Sequence, residues 1–119
     1  MKYKDYKELN VWKKSITLVK LVYPLIQQLP NTEKFALCDQ MRRAAISIPS
    51  NIAEGKARTS GKEFRHFLEI AQGSRAELET QLIICEELGY LSHEQIAPAL
   101  LLSDELRKML FVFIENVQY

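Results

Sequence analysis

Between residues 64 and 88, small and apolar side chains recur in alternating steps of three and four: Phe64, Phe67, Ala71, Ser74, Leu78, Gln81, Cys85 and Leu88. A strand alternates every second residue and a loop has no period. This spacing therefore calls for a helix with one face in a bundle seam. The rhythm returns in Ile96, Ala99, Ser103, Leu106, Leu110, Phe113 and Val117. Gly89 offers a C-cap for the first of these helices, and Ser92, with Glu94 and Gln95 in the first turn, caps the second. A long helix with an apolar stripe must cover it with other helices, so the rest of the chain has to supply them. Gly73, inside the first repeat, costs about 1 kcal/mol relative to alanine. Its presence predicts a close backbone approach.

The first half supplies two more helices. From about Leu9, one apolar row is Trp12, Ile16, Val19, Tyr23 and Ile26, and a second is Leu18, Val22, Leu25 and Leu29. Pro24 lies inside this pattern and predicts a kink; Pro30 and Asn31 stop the helix. Thr32 and Glu33 open a second helix whose buried row is Phe35, Cys38, Met41, Ala45, Ile48 and Ile52. Pro49 falls mid-pattern, and Asn51 with Glu54 resembles a capping arrangement. One helix kinked at Pro49 and two short helices meeting at Ser47–Ser50 are both open, the continuous apolar period favouring the kinked one. Gly55, Thr59, Ser60 and Gly61 then mark a turn. The expected fold is all-α, an antiparallel up-and-down four-helix bundle forming one domain over residues 1–119.

Composition narrows the class of function. Hydrophobic residues are 47% and charged residues 26%, which suits a folded chain, and 4 Gly and 4 Pro are too few for the many turns of an all-β fold. No apolar run is long enough for a membrane span, and MKYKDYKELNVWKK lacks the apolar core of a secretion signal, so a cytoplasmic location is expected. The two cysteines, Cys38 and Cys85, share no metal-ligand spacing and read as reduced core thiols. Net charge is +1 but uneven: residues 41–75 carry seven Lys/Arg against three Glu, whereas residues 76–119 carry two against eight acidic groups. Such opposite halves suit pairing within the chain or between subunits.

Candidate chemistry is sparse. Glu63 and His66 form a Glu-x-x-His of the di-iron bundle type, but it occurs once, and Lys62 and Arg65 beside it would repel a cation. Neither a nucleophile elbow nor a phosphate-cradling glycine loop frames Ser47, Ser50 or Ser74. No catalytic residue, metal, cofactor or small-molecule substrate is expected. The remaining candidate is a polar surface on the second and third helices: Arg42, Arg43, Ser47, Asn51, Glu54, Arg58, Glu63 and Glu77. It reads either as an ion-pair network, with Arg43 or Arg58 meeting Glu63 or Glu77, or as a recognition face for phosphate or an acidic partner. Candidate phosphate contacts are Lys13, Lys14, Arg42, Arg43, Lys56, Arg58 and Arg65. The last helix has more apolar residues than one seam can bury. Leu101, Leu102, Met109, Phe111 and Val112 are therefore candidates for a contact with another chain.

Three segments carry a resemblance: RRAAISIPSNIAEG (Arg42–Gly55), ELNVWKKSITLV (Glu8–Val19) and EFRHFLEIAQGSRAELETQL (Glu63–Leu82). They resemble the bacterial four-helix bundle family of 23S ribosomal RNA intervening-sequence proteins, also called S23-type. The resemblance covers almost the whole chain. It falls on Trp12, Ser15, Arg42, Arg43, Ser47, Pro49, Asn51, Glu54, Gly55, Arg58, Phe67, Gly73, Ser74, Glu77 and Glu79. It implies a homopentamer without catalytic machinery. By similarity to the accessory protein of diversity-generating retroelements, it also implies RNA, DNA or a nucleic-acid-processing protein as partner. The chain departs from the family at Pro24 and is less basic than those retroelement relatives. The expected role is a non-enzymatic oligomeric scaffold, the alternative a nucleic-acid-binding ring.

Overall fold

A computed structural model describes residues 5–118. Among them, four helices follow one another: α1 (Asn10–Ile26), α2 (Leu37–Lys56), α3 (Gly61–Glu87) and α4 (His93–Asn116). Short 3₁₀ turns occupy Tyr6–Glu8 and Asn31–Glu33.

Contacts fix the direction of each helix. Ser47 meets Ser74, and the Gly55 backbone abuts Phe67, so α2 and α3 run antiparallel. Arg75 reaches Ser103 while Gln72 bonds the Arg107 carbonyl, so α3 and α4 do too. Lys14 pairs with Glu105 and Gln28 with Gln95, which sets α1 against α4. Each helix packs on its chain neighbours, α1 closes on α4, and α2–α3 is the most extensive contact. The result is an up-and-down bundle 45 × 25 × 18 Å in extent.

The core is aliphatic. Leu18, Met41, Ile48, Ile52, Leu68, Leu78, Leu82, Ile96, Leu106 and Leu110 are sealed from solvent. Burying each such side chain contributes about 1.5–3 kcal/mol. In α1 the deepest row is Val11, Ser15, Leu18, Val22 and Ile26. Trp12, Ile16, Val19 and Tyr23 from the expected first row are only partly buried. α3 likewise buries Leu68, Arg75 and Leu82 beside the expected repeat, and exposes Leu88.

The helix ends follow local chemistry. Ser92 and Gln95 form a reciprocal capping box, and Gly89 at φ 77° takes the left-handed position that ends α3. α2 does not open at Thr32 and Glu33. The extended Pro30 leads into the 3₁₀ turn, whose carbonyls accept from Glu33, Lys34 and Ala36, and α2 begins only at Leu37. Phe35 is consequently not part of the buried row: it is 82% exposed, with the Lys34 ammonium over its ring. Pro24 and Pro49 each lie inside a helix that continues past them, so α2 is one helix rather than two. Asn51 caps nothing; its amide donates to the Ser47 carbonyl and hydroxyl, each at 2.8 Å, within the turn around Pro49.

Candidate interaction faces

The α2–α3 seam is the most extensive helix contact, and Gly55 permits a tight fit at one end of it. A Cβ there would stand 2.7 Å from the Phe67 Cβ and 3.1 Å from the Phe64 ring. Two turns earlier, the Ser47 and Ser74 hydroxyls bond at 2.8 Å across the same seam. At its outer edge Arg58 donates to Glu54 at 2.7 Å and lies over the Phe67 ring, 4.7 Å from its centre. The polar surface expected on α2 is thus partly a packing device: Ser47 and Asn51 tie the helices, while Arg58 and Glu54 cover Phe67.

The expected cross-helix ion pairs do not form. Arg58 pairs along its own helix, and Arg42 reaches Asp39 at 3.5 Å, again on its own helix. Arg43, Glu63 and Glu77 are exposed and make no ion pair among the described residues. Gly73 marks no close approach within the chain either, since a Cβ there would meet nothing within 4 Å. The glycine that does serve that purpose is Gly55.

A network not foreseen in the sequence joins α3 to α4. Arg75 is 5% exposed, and its guanidinium donates to Gln72 at 2.8 Å, Ser103 at 3.0 Å and Glu79 at 3.2 Å. Ser103 also donates to Glu79 at 3.1 Å, so the buried charge is neutralised and hydrogen-bonded. The available signal was the i, i+4 spacing of Arg75 and Glu79, which alone cannot distinguish a buried pair from a solvated one. The Gln81 amide oxygen, also buried, has no hydrogen-bond partner among the described residues.

Cys38 and Cys85 are free and buried. Burial, with smaller contributions from Cys38 and Glu33, pushes the Cys85 thiol up to about 11, which leaves it protonated and unreactive. Glu63 and His66 are both exposed, and no group of three metal-capable side chains gathers among the described residues. No helix there is long and apolar enough to cross a membrane.

Of the candidate phosphate contacts, Lys14 pairs with Glu105 at 2.9 Å, and Arg42 and Arg58 pair as described. Lys56 lines a pocket of about 600 Å³ beside the α2–α3 turn, with Arg58, Phe64 and Phe113. Lys13 is exposed and Arg65 half-buried, and neither makes an ion pair among the described residues. Lys20, which the sequence reading passed over, is exposed and unpaired in the same sense.

The apolar surplus divides in two. Leu101, Phe111 and Val112 are exposed, Leu101 by 74%, whereas Leu102 and Met109 pack partly against the core. α3 adds Ile70, Ile83 and Ile84 to the exposed set, with Leu88 at its end. The sequence places Glu63, His66, Gly73, Glu77 and Thr80 on a polar stripe of this helix, but Ile70 and Ile84 fall on the same row in the same three–four steps and make it partly apolar. On the opposite side, α1 and α2 border a groove of about 350 Å³ lined by Tyr6, Trp12, Ile16, Val19, Ile46 and Pro49.

With this geometry in view, the profile of the 23S rRNA-intervening sequence protein family matches residues 7–112. The chain belongs to that family. Its fold is also that of a solved relative, a protein of unknown function from the S23 ribosomal protein family of Bacteroides thetaiotaomicron VPI-5482. The two share 29% identity with a TM-score of 0.81, over 89% of this chain and 99% of the other. No curated protein is similar enough to count as a match. The family match spans both the Ser47–Asn51–Ser74 seam and the Arg75 network, so both lie within the shared bundle.

Proposed function

We propose that this member of the 23S rRNA-intervening sequence family is a non-enzymatic scaffold that assembles with copies of itself. Five copies is the number the family resemblance implies. The observation that carries this reading is the number of large exposed apolar side chains on α3 and α4: Ile70, Ile83 and Ile84 with Leu101, Phe111 and Val112. Single exposed apolar residues are ordinary on a soluble protein, but six on two adjacent helices suit an association surface. The polar clusters point the same way, because they are used up in holding the bundle. Ser47 bonds both Ser74 and Asn51, and Arg75 is consumed by Glu79, Gln72 and Ser103.

Light scattering coupled to size exclusion tests the reading. A mass several times the 13.8 kDa of the chain, held on dilution to micromolar concentration, is expected. A stable monomer at that concentration overturns it.

A further inference from the structure

Of the charges that make no ion pair among the described residues, two groups lie on different sides of the bundle. α1 carries Lys13, Lys14 and Lys20 and no carboxylate. Of these, Lys13 and Lys20 are unpaired among the described residues, as is Arg43 on neighbouring α2. Lys13 and Lys20 follow the groove-lining Trp12 and Val19 along α1, and Arg43 lies one turn before the groove-lining Ile46 on α2. On the solvent side of α3 the unpaired groups from Glu69 onward are Glu69, Glu77 and Glu87, set among Ile70, Ile83 and Ile84, while Lys62, Glu63 and Arg65 stand unpaired in its first two turns. The α1–α2 side is thus apolar and cationic, and the α3 side is apolar and anionic from Glu69 onward.

Shape adds to charge. Ile46 lines the groove and is 47% exposed, a knob one turn along α2 from Arg43. Gly73 is a hollow on α3, with nothing within 4 Å of where a Cβ would stand, between Glu69 and Glu77. Knob and hollow are also level with each other. Ile46 precedes Ser47 and Gly73 precedes Ser74, and those two serines touch.

We infer that the α1–α2 face of one copy docks on the outer face of α3 in the next, with Ile46 seated over Gly73 and Lys20 and Arg43 meeting Glu69 and Glu77. This rests on the self-assembly proposed above and specifies its interface. Contact of the α3 face with itself would set carboxylates against carboxylates, and contact of the α1–α2 face with itself would oppose cations. Charge therefore selects the head-to-tail arrangement, in which unlike faces meet. Because the two faces lie at one height along the bundle, the contact repeats without climbing, which favours a closed ring over a filament. The arginine–glutamate pairing expected from the sequence is then made between chains rather than within one.

Charge reversal tests the interface apart from the assembly itself. Lys20→Glu with Arg43→Glu, and separately Glu69→Lys with Glu77→Lys, should each weaken association by about tenfold or more, and more strongly at low salt. The chain carrying all four substitutions should recover it. Gly73→Leu should fold, because the monomer has room for it, and should lose the assembly. Circular dichroism confirms folding for every variant. If the wild type is a monomer, the scaffold reading and this interface fall together. If the wild type assembles but either pair of reversals or Gly73→Leu leaves its mass unchanged, or the fourfold variant fails to recover, this interface is wrong and the scaffold reading survives. Should Lys20→Glu with Arg43→Glu abolish binding of ribosomal RNA fragments while the mass stays the same, the α1–α2 face serves nucleic acid and the inference is overturned.

Discussion

Along α3, Leu68, Ala71, Leu78 and Leu82 are sealed in the bundle, whereas Ile70, Gly73, Glu77 and Ile84 face solvent. Both rows keep the three–four steps that mark a helical seam. The inward row meets α2 and α4; the outward row is left facing solvent. A heptad rhythm thus identifies a face suited to helix packing but does not say which molecule supplies the other helix. The glycines sharpen the contrast. Gly55 faces inward and is jammed against Phe67, while Gly73 faces outward into open space.

The two rows should respond differently to substitution, measured by urea unfolding at a concentration where the chain is dissociated. Truncating the inward row has the largest effect: Leu78→Ala should cost about 2–5 kcal/mol through lost burial and the cavity left behind. Ile84→Ala on the outward row should stay within about 0.5 kcal/mol. Comparable losses at both sites would mean that the outward row is packed even in the isolated chain. Next in size is Gly55→Ala, expected to destabilise by about 1–3 kcal/mol, because the added methyl meets the Phe67 Cβ rather than a flexible tip. Gly73→Ala should have the opposite sign, stabilising the dissociated chain by up to about 1 kcal/mol through helix propensity alone. A loss of stability there would show that Gly73 is held in a contact within the chain.

A last effect concerns pH. The Cys85 thiol is raised in the folded state from 9.0 to about 11 by burial. The folded chain therefore holds its proton more tightly than the unfolded one. That contribution is fully present below pH 9.0 and is lost as pH rises toward about 11. Cys85→Ala should flatten the decline over this window, as followed by circular dichroism. An unchanged slope would place its cause elsewhere.

The bundle was legible in the sequence because helix period, caps and turn residues agreed: Ser92 with Gln95 and Gly89 acted where their chemistry suggested. The start of α2 was not. Thr32 and Glu33 carry a helix-opening signal, but after Pro30 the backbone spends it on a 3₁₀ turn, and Phe35 is turned outward. The polar surface was legible as residues but not as partners. Ser47 and Asn51 were placed on one face, yet the hydroxyl pair with Ser74 depends on the approach that Gly55 allows. Arg75 was missed because nothing local distinguishes a buried i, i+4 pair from a solvated one; burial comes from α4. The unpaired state of Arg43 and Glu77 is likewise a tertiary fact. The sequence places both at one level of adjacent helices, but only the side-chain geometry leaves each without a partner.

Disulfide trapping between two single variants addresses the outward face of α3 most directly. Ile46→Cys chains mixed with Gly73→Cys chains, both keeping the buried Cys38 and Cys85, are oxidised gently and run on a non-reducing gel. The account predicts a linked dimer containing one chain of each kind, and none from either variant alone. A Gly73→Cys chain that links to itself, or a mixture that yields no linked dimer while wild-type chains assemble, would contradict it.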